Sequence, residues 1–245
     1  MTQTFSVPAD SPFFTGHFPG HPILPGIAHL AFVAQALGGS PIAEIPSLRL
    51  RSPVRPGDVL SMKIDGPTDE GIVRFELRRE AEMASSGVVR LGSSVDLPDL
   101  PEILETQGPP IEALLPHQPP ARLVRSVLEV FPEGLTGVAS IPEASPFAAA
   151  GRVPAFLGLE AAAQGAAVLE ALERREAPGP RIGYLVGLRG VRLAVAALPV
   201  ERPFRFAVRL SGRAAPLSIY EVMVEGAGGA ELLRGAISTY VLPES

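Results

Sequence analysis

An internal repeat is the feature that most restricts the fold of this chain. Residues 11–35 read SPFFTGHFPGHPILPGIAHLAFVAQ, and residues 145–164 read SPFAAAGRVPAFLGLEAAAQ. Both copies begin with Ser-Pro-Phe and end with Gln, and both carry a proline ten residues before that Gln. A repeat of this kind within 245 residues predicts two similar domains rather than one large domain.

The first copy combines a loop with a helix. The loop around His17 is so rich in proline and glycine that it excludes a helix or a central strand. After Pro25 the apolar residues recur at helical spacing, and proline suits the first turn of a helix. The first N–H groups of a helix lack partners within it, so His17 is a potential base beside an anion site.

The segment GHFPGHPILPG, residues 16–26, resembles the signature of the β-hydroxyacyl-acyl-carrier-protein dehydratases of the FabZ/FabA type. The resemblance implies an α+β double hot-dog fold, with two curved antiparallel sheets that each wrap around a central helix. It also implies that His17 is the catalytic histidine and that the amide of Gly26 stabilises charge on the thioester oxygen. The family carries an acid fourteen positions after this histidine, where the chain has Ala31.

The second copy carries the missing acid. Residues 25–35 and 154–164 have equal lengths, so Glu160 aligns with Ala31, whereas the loop before it is five residues shorter and lacks histidine. In two-subunit hot-dog enzymes the sheets join edge to edge, and each site takes its histidine from one subunit and its acid from the other. The resemblance therefore implies one composite site with His17 and Glu160, and an opposite site with neither group.

Two further resemblances narrow the family. The double hot-dog dehydratase domains of modular polyketide synthases pair an acid with a glutamine four residues later, which is the spacing of Glu160 and Gln164. The order of the halves is similar to the two subunits of the ApeI/ApeP-type dehydratase of aryl polyene pathways, which suggests a fused pair. Residues 114–130, LLPHQPPARLVRSVLEV, are similar to the opening segment of the same dehydratases, with Arg125 in place of the usual aspartate.

The chemistry of dehydration explains these residue types. Removal of water from a 3-hydroxyacyl thioester needs a base for the α-proton and an acid for the departing hydroxide. Burial of Glu160 among apolar neighbours should raise its pKa, and partial burial should keep His17 neutral. We therefore predict a 3-hydroxyacyl-acyl-carrier-protein dehydratase of fatty acid, polyketide or aryl polyene synthesis.

Other interpretations of these residues stay open. A hot-dog thioesterase would use its acid to activate water, and a non-catalytic carrier-binding protein would use neither group. Gln164 either orients Glu160 or packs in the core. We interpret His21 as a loop hydrogen-bonder and His29 and His117 as structural. No histidine spacing gives a metal-ligand set, and the resemblance implies no metal and no other cofactor.

Composition limits the partners and the environment. A net charge of −5 with a single lysine, Lys63, argues against general nucleic-acid binding. The absence of cysteine, of an N-terminal leader and of an uncharged apolar run of about 20 residues predicts a cytoplasmic protein without a membrane span. Arginines that follow both helices either attract an acidic carrier protein or lie on a solvated strand face; they are Arg49, Arg51, Arg55, Arg189 and Arg192.

Domain boundaries follow from composition and the repeat. We predict an N-terminal hot-dog domain at residues 1–98, a proline-rich linker at 99–110 and a C-terminal hot-dog domain at 111–245. The two would form an intramolecular pseudo-dimer, as a monomer or a homodimer. The strands are predicted at residues 4–7, 46–56, 59–64, 72–78, 87–97, 124–130, 135–141, 184–194, 204–210, 219–225 and 232–241, with a short helix at 111–115.

Overall fold

The first half of the chain forms five antiparallel strands and a helix. In this computed structural model, which describes residues 2–93, 95, 97, 110–174 and 181–242, the strands lie in the order β1-β3-β4-β5-β2. Their bounds are β1 (Thr2–Ser6), β2 (Ile42–Leu50), β3 (Val59–Asp65), β4 (Ile72–Arg79) and β5 (Glu82–Leu91). Helix α1 (Ala28–Ala36) starts three residues after Pro25, whose carbonyl accepts a hydrogen bond from the N–H of Ala28 at 2.9 Å.

The second half repeats this arrangement with one more strand in the sheet. Its order is β9-β13-β12-β11-β7-β6, and β8 and β10 form a separate pair. The bounds are β6 (Val124–Phe131), β7 (Gly134–Ala139), β8 (Arg152–Pro154), β9 (Gly183–Leu193), β10 (Ala197–Pro199), β11 (Phe204–Ala214), β12 (Leu217–Glu225) and β13 (Glu231–Val241), with helix α2 at Gly158–Glu173.

Strands β2 and β9 join the two sheets into one sheet of eleven strands. They pair antiparallel, with Leu48 opposite Leu188 on the buried face. Each is the strand that follows the helix of its repeat, so the halves meet through equivalent elements. Phe13 and Phe147, which occupy the same position in the two copies, also touch each other, with ring centroids 4.9 Å apart. Contact between equivalent residues is the mark of a two-fold interface, here within one chain.

Helix α2 is a core helix of small residues. A Cβ added to Gly165 would lie 2.3 Å from Cε2 of Phe206, so glycine lets the sheet approach the helix backbone. Among the described residues, the segment Ala155–Glu173 is long and apolar enough to cross a membrane by length and composition, but 78% of its apolar window is buried inside the fold. We therefore assign the segment to the protein core.

Several predicted boundaries differ from the structure. The strand predicted at 87–97 is β5 at Glu82–Leu91, and the helix predicted at 111–115 is a single 3-10 turn at Ile111–Ala113. Strand β2 begins at Ile42, four residues before the predicted start, and its pairing shifts around Pro46, which lacks an N–H to donate. Residues 98–109 lie outside the described part of the chain, so the domain boundaries and the linker stay a prediction.

Candidate active site

His17 is buried in a loop that fixes its protonation state. Its side chain is 5% exposed, and its Nδ1–H donates to the carbonyl of Ile23 at 2.9 Å. With the proton on Nδ1, Nε2 is the nitrogen that can accept one. Burial lowers the pKa of His17 to about 4, against the weaker opposing effect of that hydrogen bond. His17 is therefore neutral near pH 7, as predicted.

Glu160 lies in the first turn of α2 and is 8% exposed. Burial raises the pKa of its carboxyl above the usual value, and a hydrogen bond from Nε2 of Gln164 to Oε1 at 3.3 Å opposes that rise. Removal of a carboxylate from water favours its protonated form. The direction of the shift matches the prediction and suits a proton donor.

His117 lies beside both of these side chains, a place that sequence reasoning did not give it. Its Nε2 is 3.7 Å from Oε1 of Glu160, and its ring centroid is 5.3 Å from that of His17. Burial, and then the neighbouring His17, lower the pKa of His117 to about 3. Residues 100 positions apart in sequence meet because the N–H of Gln118 donates to the carbonyl of Gly16 at 2.9 Å.

The three side chains form one buried cluster. A nitrogen or oxygen atom of each lies within 4.8 Å of the others. Histidine spacing along the sequence does not predict this cluster, because the fold brings together side chains that are far apart in the chain. That the site works without a metal stays a prediction.

Gln164 connects Glu160 to the segment after His117. Its Oε1 accepts hydrogen bonds from the N–H groups of Leu123 at 2.8 Å and Val124 at 3.4 Å. Its Nε2 donates to the carbonyl of Ala121 at 2.8 Å and to Glu160. Gln164 was interpreted either as orienting Glu160 or as packing in the core. The structure contains the hydrogen bond to Glu160 that the first interpretation requires.

The cluster lies between two cavities. The larger is lined from the first half by His17, Phe18, Gly26, Leu50 and Arg51, and from the second half by His117, Glu160, Gln164 and Tyr184. The smaller is lined by apolar side chains that include Phe13, Phe147 and Leu157. His17 and Glu160 border both cavities. The imidazole of His17 and the carboxyl of Glu160 therefore face the same two spaces.

Family models match both halves of the chain. Residues 109–245 match the ApeP-like model, described as ApeP dehydratase, and residues 1–88 match the ApeI-like model, described as ApeI dehydratase. The chain belongs to the ApeI/ApeP-like dehydratases. The predicted resemblance to hot-dog dehydratases is confirmed, and the two models match in the order that a fused pair requires.

Single relatives agree with this dehydratase family. The FabZ 3-hydroxyacyl-[acyl-carrier-protein] dehydratase of Syntrophobacter fumaroxidans is 37% identical over 103 residues, which cover 33% of this chain and 70% of the relative. Matches to other FabZ proteins cover as little as 48% of the relative's length. FabZ relatives thus resemble part of this chain, as expected for a chain with two hot-dog units.

Solved structures support the double hot-dog fold. The dehydratase domain of RzxB from Pseudomonas fluorescens superposes with a TM-score of 0.68 at 16% identity and covers 99% of this chain and 94% of its own. The dehydratase heterocomplex ApeI:P from Xenorhabdus doucetiae gives 0.51 at 23% identity, over 56% of this chain and 94% of its own. The likeness along the whole chain confirms the predicted fold class.

In this dehydratase, the site related to the cluster by the internal repeat has a different loop and a different helix residue. The N–H of Ala149 donates to the carbonyl of Arg152 at 2.8 Å, and the N–H of Arg152 donates back at 3.0 Å. These two bonds close a tight turn at Ala150 and Gly151, where the first repeat has its histidine loop. Ala31 occupies the helix position that corresponds to Glu160. Within the described ranges, the histidine–carboxylate cluster therefore belongs to one side only.

The remaining predicted site residues fall into two groups. Gly26 and Arg51 line the larger cavity, and the charge of Arg55 acts on the Tyr184 hydroxyl at its wall. Arg49, Arg189 and Arg192 lie on the exposed face of the β2–β9 junction, and Arg192 is close enough to Glu44 to help lower its pKa. Only the first group can face a molecule that enters the cavity.

The other two histidines form hydrogen bonds at the wall of the larger cavity. His21 shares a hydrogen bond of 3.1 Å with the Tyr184 hydroxyl, and Nδ1 of buried His29 lies 2.8 Å from Oγ of Ser85. Both contacts fit the structural interpretation. Tyr184 was not predicted, because a tyrosine within a strand pattern carries no signal that distinguishes a cavity wall from a core position.

We expect Gln164→Leu to lower kcat about tenfold and to destabilise the fold by about 2 kcal/mol. Leucine fills the space but leaves the carbonyl of Ala121 and the buried N–H of Leu123 without partners, at a cost of about 1–3 kcal/mol. It also frees Glu160 to turn away. Steady-state kinetics and urea unfolding measure the two effects. Unchanged kcat in a folded variant would show that Gln164 only packs.

Proposed function

We propose that the protein converts 3-hydroxyacyl thioesters on an acyl carrier protein to trans-2-enoyl thioesters at one composite site. The observation that carries the proposal is that His17 of the first half and Glu160 of the second border the same two cavities. A base and an acid that face one space are what elimination of water requires.

The reaction divides into two proton transfers. Nε2 of His17 takes the proton from Cα, and the electron pair of that C–H bond forms the Cα=Cβ double bond. The Cβ–O bond breaks, and the hydroxide leaves with the proton of Glu160 as water. Negative charge that develops on the thioester oxygen is stabilised by the amide of Gly26, near the start of α1.

Burial sets both groups in the state in which each can react. The pKa of His17, about 4, leaves it neutral, and the raised pKa of Glu160 favours the carboxylic acid. One dry environment thus gives a base and an acid at the same pH, because the charged form is the less stable one for both groups.

The carrier protein would dock where the larger cavity reaches the surface. Arg51 is exposed and lines that cavity, and Arg55 is exposed near Tyr184. Positive charge at this opening would attract an acidic carrier and guide its phosphopantetheine arm inward. Arg49, Arg189 and Arg192 would contribute only if the carrier also covered the β2–β9 face.

We expect kcat/KM to rise with pH through about 4 and to fall at a pH above the usual range of a glutamate. Below about 4 His17 is protonated and cannot accept a proton; above its raised pKa Glu160 is ionised and cannot donate one. The profile is measured with a small pantetheine thioester, with circular dichroism at each pH to check folding. A rate that still rises steeply through pH 6.5 would contradict a buried His17.

A direct assay tests the proposed function. The protein is incubated with 3-hydroxyacyl thioesters of carrier protein and of pantetheine, and mass spectrometry follows the loss of one water while a thiol reagent follows hydrolysis. Loss of water without release of thiol is expected, at the same rate after treatment with a chelator. Release of thiol without an enoyl product would identify a thioesterase, and no reaction at all would leave a binding protein.

A further inference from the structure

The proposed mechanism leaves the site in the wrong protonation state after each turnover. His17 has gained the α-proton and Glu160 has lost its own, so one proton must move from the imidazolium to the carboxylate before the next reaction. The inference below rests on the proposed function. It concerns His117, the one member of the buried cluster to which the two chemical steps give no task.

In the proposed reaction the substrate occupies the space that His17 and Glu160 face. The base acts at Cα and the acid at the oxygen on Cβ, so in the proposed reaction both side chains face the substrate rather than each other. His117 touches the cluster from its flank: Nε2 is 3.7 Å from Oε1 of Glu160, and the ring meets that of His17 edge to face, at 65°. A path through His117 therefore avoids the space that the substrate or product occupies.

His117 is free to exchange protons with its neighbours. Among the described residues, its Nδ1 is buried without a hydrogen-bond partner, whereas Nδ1 of His17 is held by Ile23 and Nδ1 of His29 by Ser85. A buried imidazole that is not committed to a fixed partner is unusual, because burial of an unsatisfied polar group is costly. The position is nevertheless firmly built, through the hydrogen bond from Gln118 to Gly16.

We propose that His117 returns the proton from His17 to Glu160 after each dehydration. The His17 imidazolium gives its Nε2 proton to the neutral imidazole of His117, which becomes an imidazolium. Nε2 of His117 both receives this proton and passes it to the carboxylate of Glu160, so the proton on Nδ1 stays in place and His117 keeps its tautomer. One proton moves, no electrons are transferred, and both imidazoles end neutral beside a protonated carboxyl.

The energies of the three groups favour this direction. The pKa values of His17 and His117 are lowered to about 4 and about 3, so the first transfer is close to balanced. The pKa of Glu160 is raised, so the second transfer is downhill. The separations in the resting cluster exceed hydrogen-bond length, and the water that the reaction forms can bridge them.

Comparison of the first turnover with later turnovers tests the inference. Rapid-quench experiments follow enoyl formation by wild type, His117→Asn and His117→Ala. The His117 variants are expected to complete the first turnover within about threefold of the wild-type rate and then to slow by about 10²-fold, the lower range for loss of an acid–base group. Added imidazole should restore the later turnovers of His117→Ala.

A matched control uses His29, a buried neutral histidine of the cavity wall that lies outside the cluster. His29→Gln removes an imidazole whose pKa is also lowered to about 4 but which bonds to Ser85. Any loss in this variant should affect the first and later turnovers equally.

Two results would overturn the relay. Equal slowing of first and later turnovers by the His117 variants would mean that His117 only supports the shape of the site, and full activity in both phases would mean that it is a spectator. If wild type forms no enoyl product, the proposed function itself fails, and this is seen before the variants are compared.

Discussion

His17→Asn and Glu160→Gln are each expected to lower kcat by about 10²–10⁴-fold, the usual contribution of a general base or acid. Asparagine keeps a donor for the carbonyl of Ile23 but cannot accept the α-proton. Glutamine has the shape of the protonated glutamate but cannot protonate the departing hydroxide. Rates of enoyl formation with a pantetheine thioester measure both losses, and thermal unfolding checks that the variants fold.

The combination of the two substitutions sharpens this test. Residues that act on the same substrate in one site lose activity in a strongly non-additive way. The double variant should therefore be little slower than the worse single variant. His21→Gln is the matched control, because its contact with Tyr184 lies outside the cluster and it should lose far less. Wild-type rates in either single variant would refute the composite site.

A single histidine–carboxylate cluster among the described residues implies that the two halves supply different groups to it. The first half keeps the long histidine loop and has Ala31 on its helix; the second keeps Glu160 and has a tight turn in place of the loop. Each half supplies what the other lacks only because β2 and β9 join the sheets in register. The junction of the sheets thus matters for the chemistry as well as for the fold.

The sequence predicted those parts of the site that the repeat encodes. His17 stands in a dense motif, and Glu160 is found by alignment of two segments of equal length, residues 25–35 and 154–164, so both could be named without coordinates. The double hot-dog architecture followed from the same two facts. Strand alternation gave most strands to within a few residues, as periodicity usually does.

The sequence could not predict contacts that depend on loop packing. His117 lies in a proline-rich segment with no spacing relation to His17, and the two rings meet where residue 118 approaches residue 16. The early start of β5 was missed for a similar reason. Ser85 is fully buried in this strand, and its hydroxyl lies 2.8 Å from Nδ1 of His29 on helix α1.

We expect Gly16→Ala to separate the loop of His17 from the loop of His117 and to lower kcat strongly. Gly16 has φ +76°, and a Cβ there would lie 2.1 Å from the carbonyl oxygen of Gln118 and 2.9 Å from that of Pro119. Because these are backbone atoms, the segment that carries His117 must move away. We expect a loss of about 10²-fold in kcat, since a displacement of about 1 Å can cost that much, and a destabilisation of about 1–3 kcal/mol.

Gly20→Ala separates this contact from backbone strain. Gly20 lies in the same loop with φ +81°, and nothing lies within 4 Å of the added Cβ. Both variants therefore place alanine in the left-handed region, but only Gly16→Ala meets the Gln118 backbone. Urea unfolding and kcat of both variants give the comparison. If the two variants lose kcat and stability alike, the loop contact does not position the cluster. If only Gly16→Ala loses kcat beyond the effect of the shared backbone strain, the approach of residue 16 to residue 118 positions His17 and His117 for the reaction.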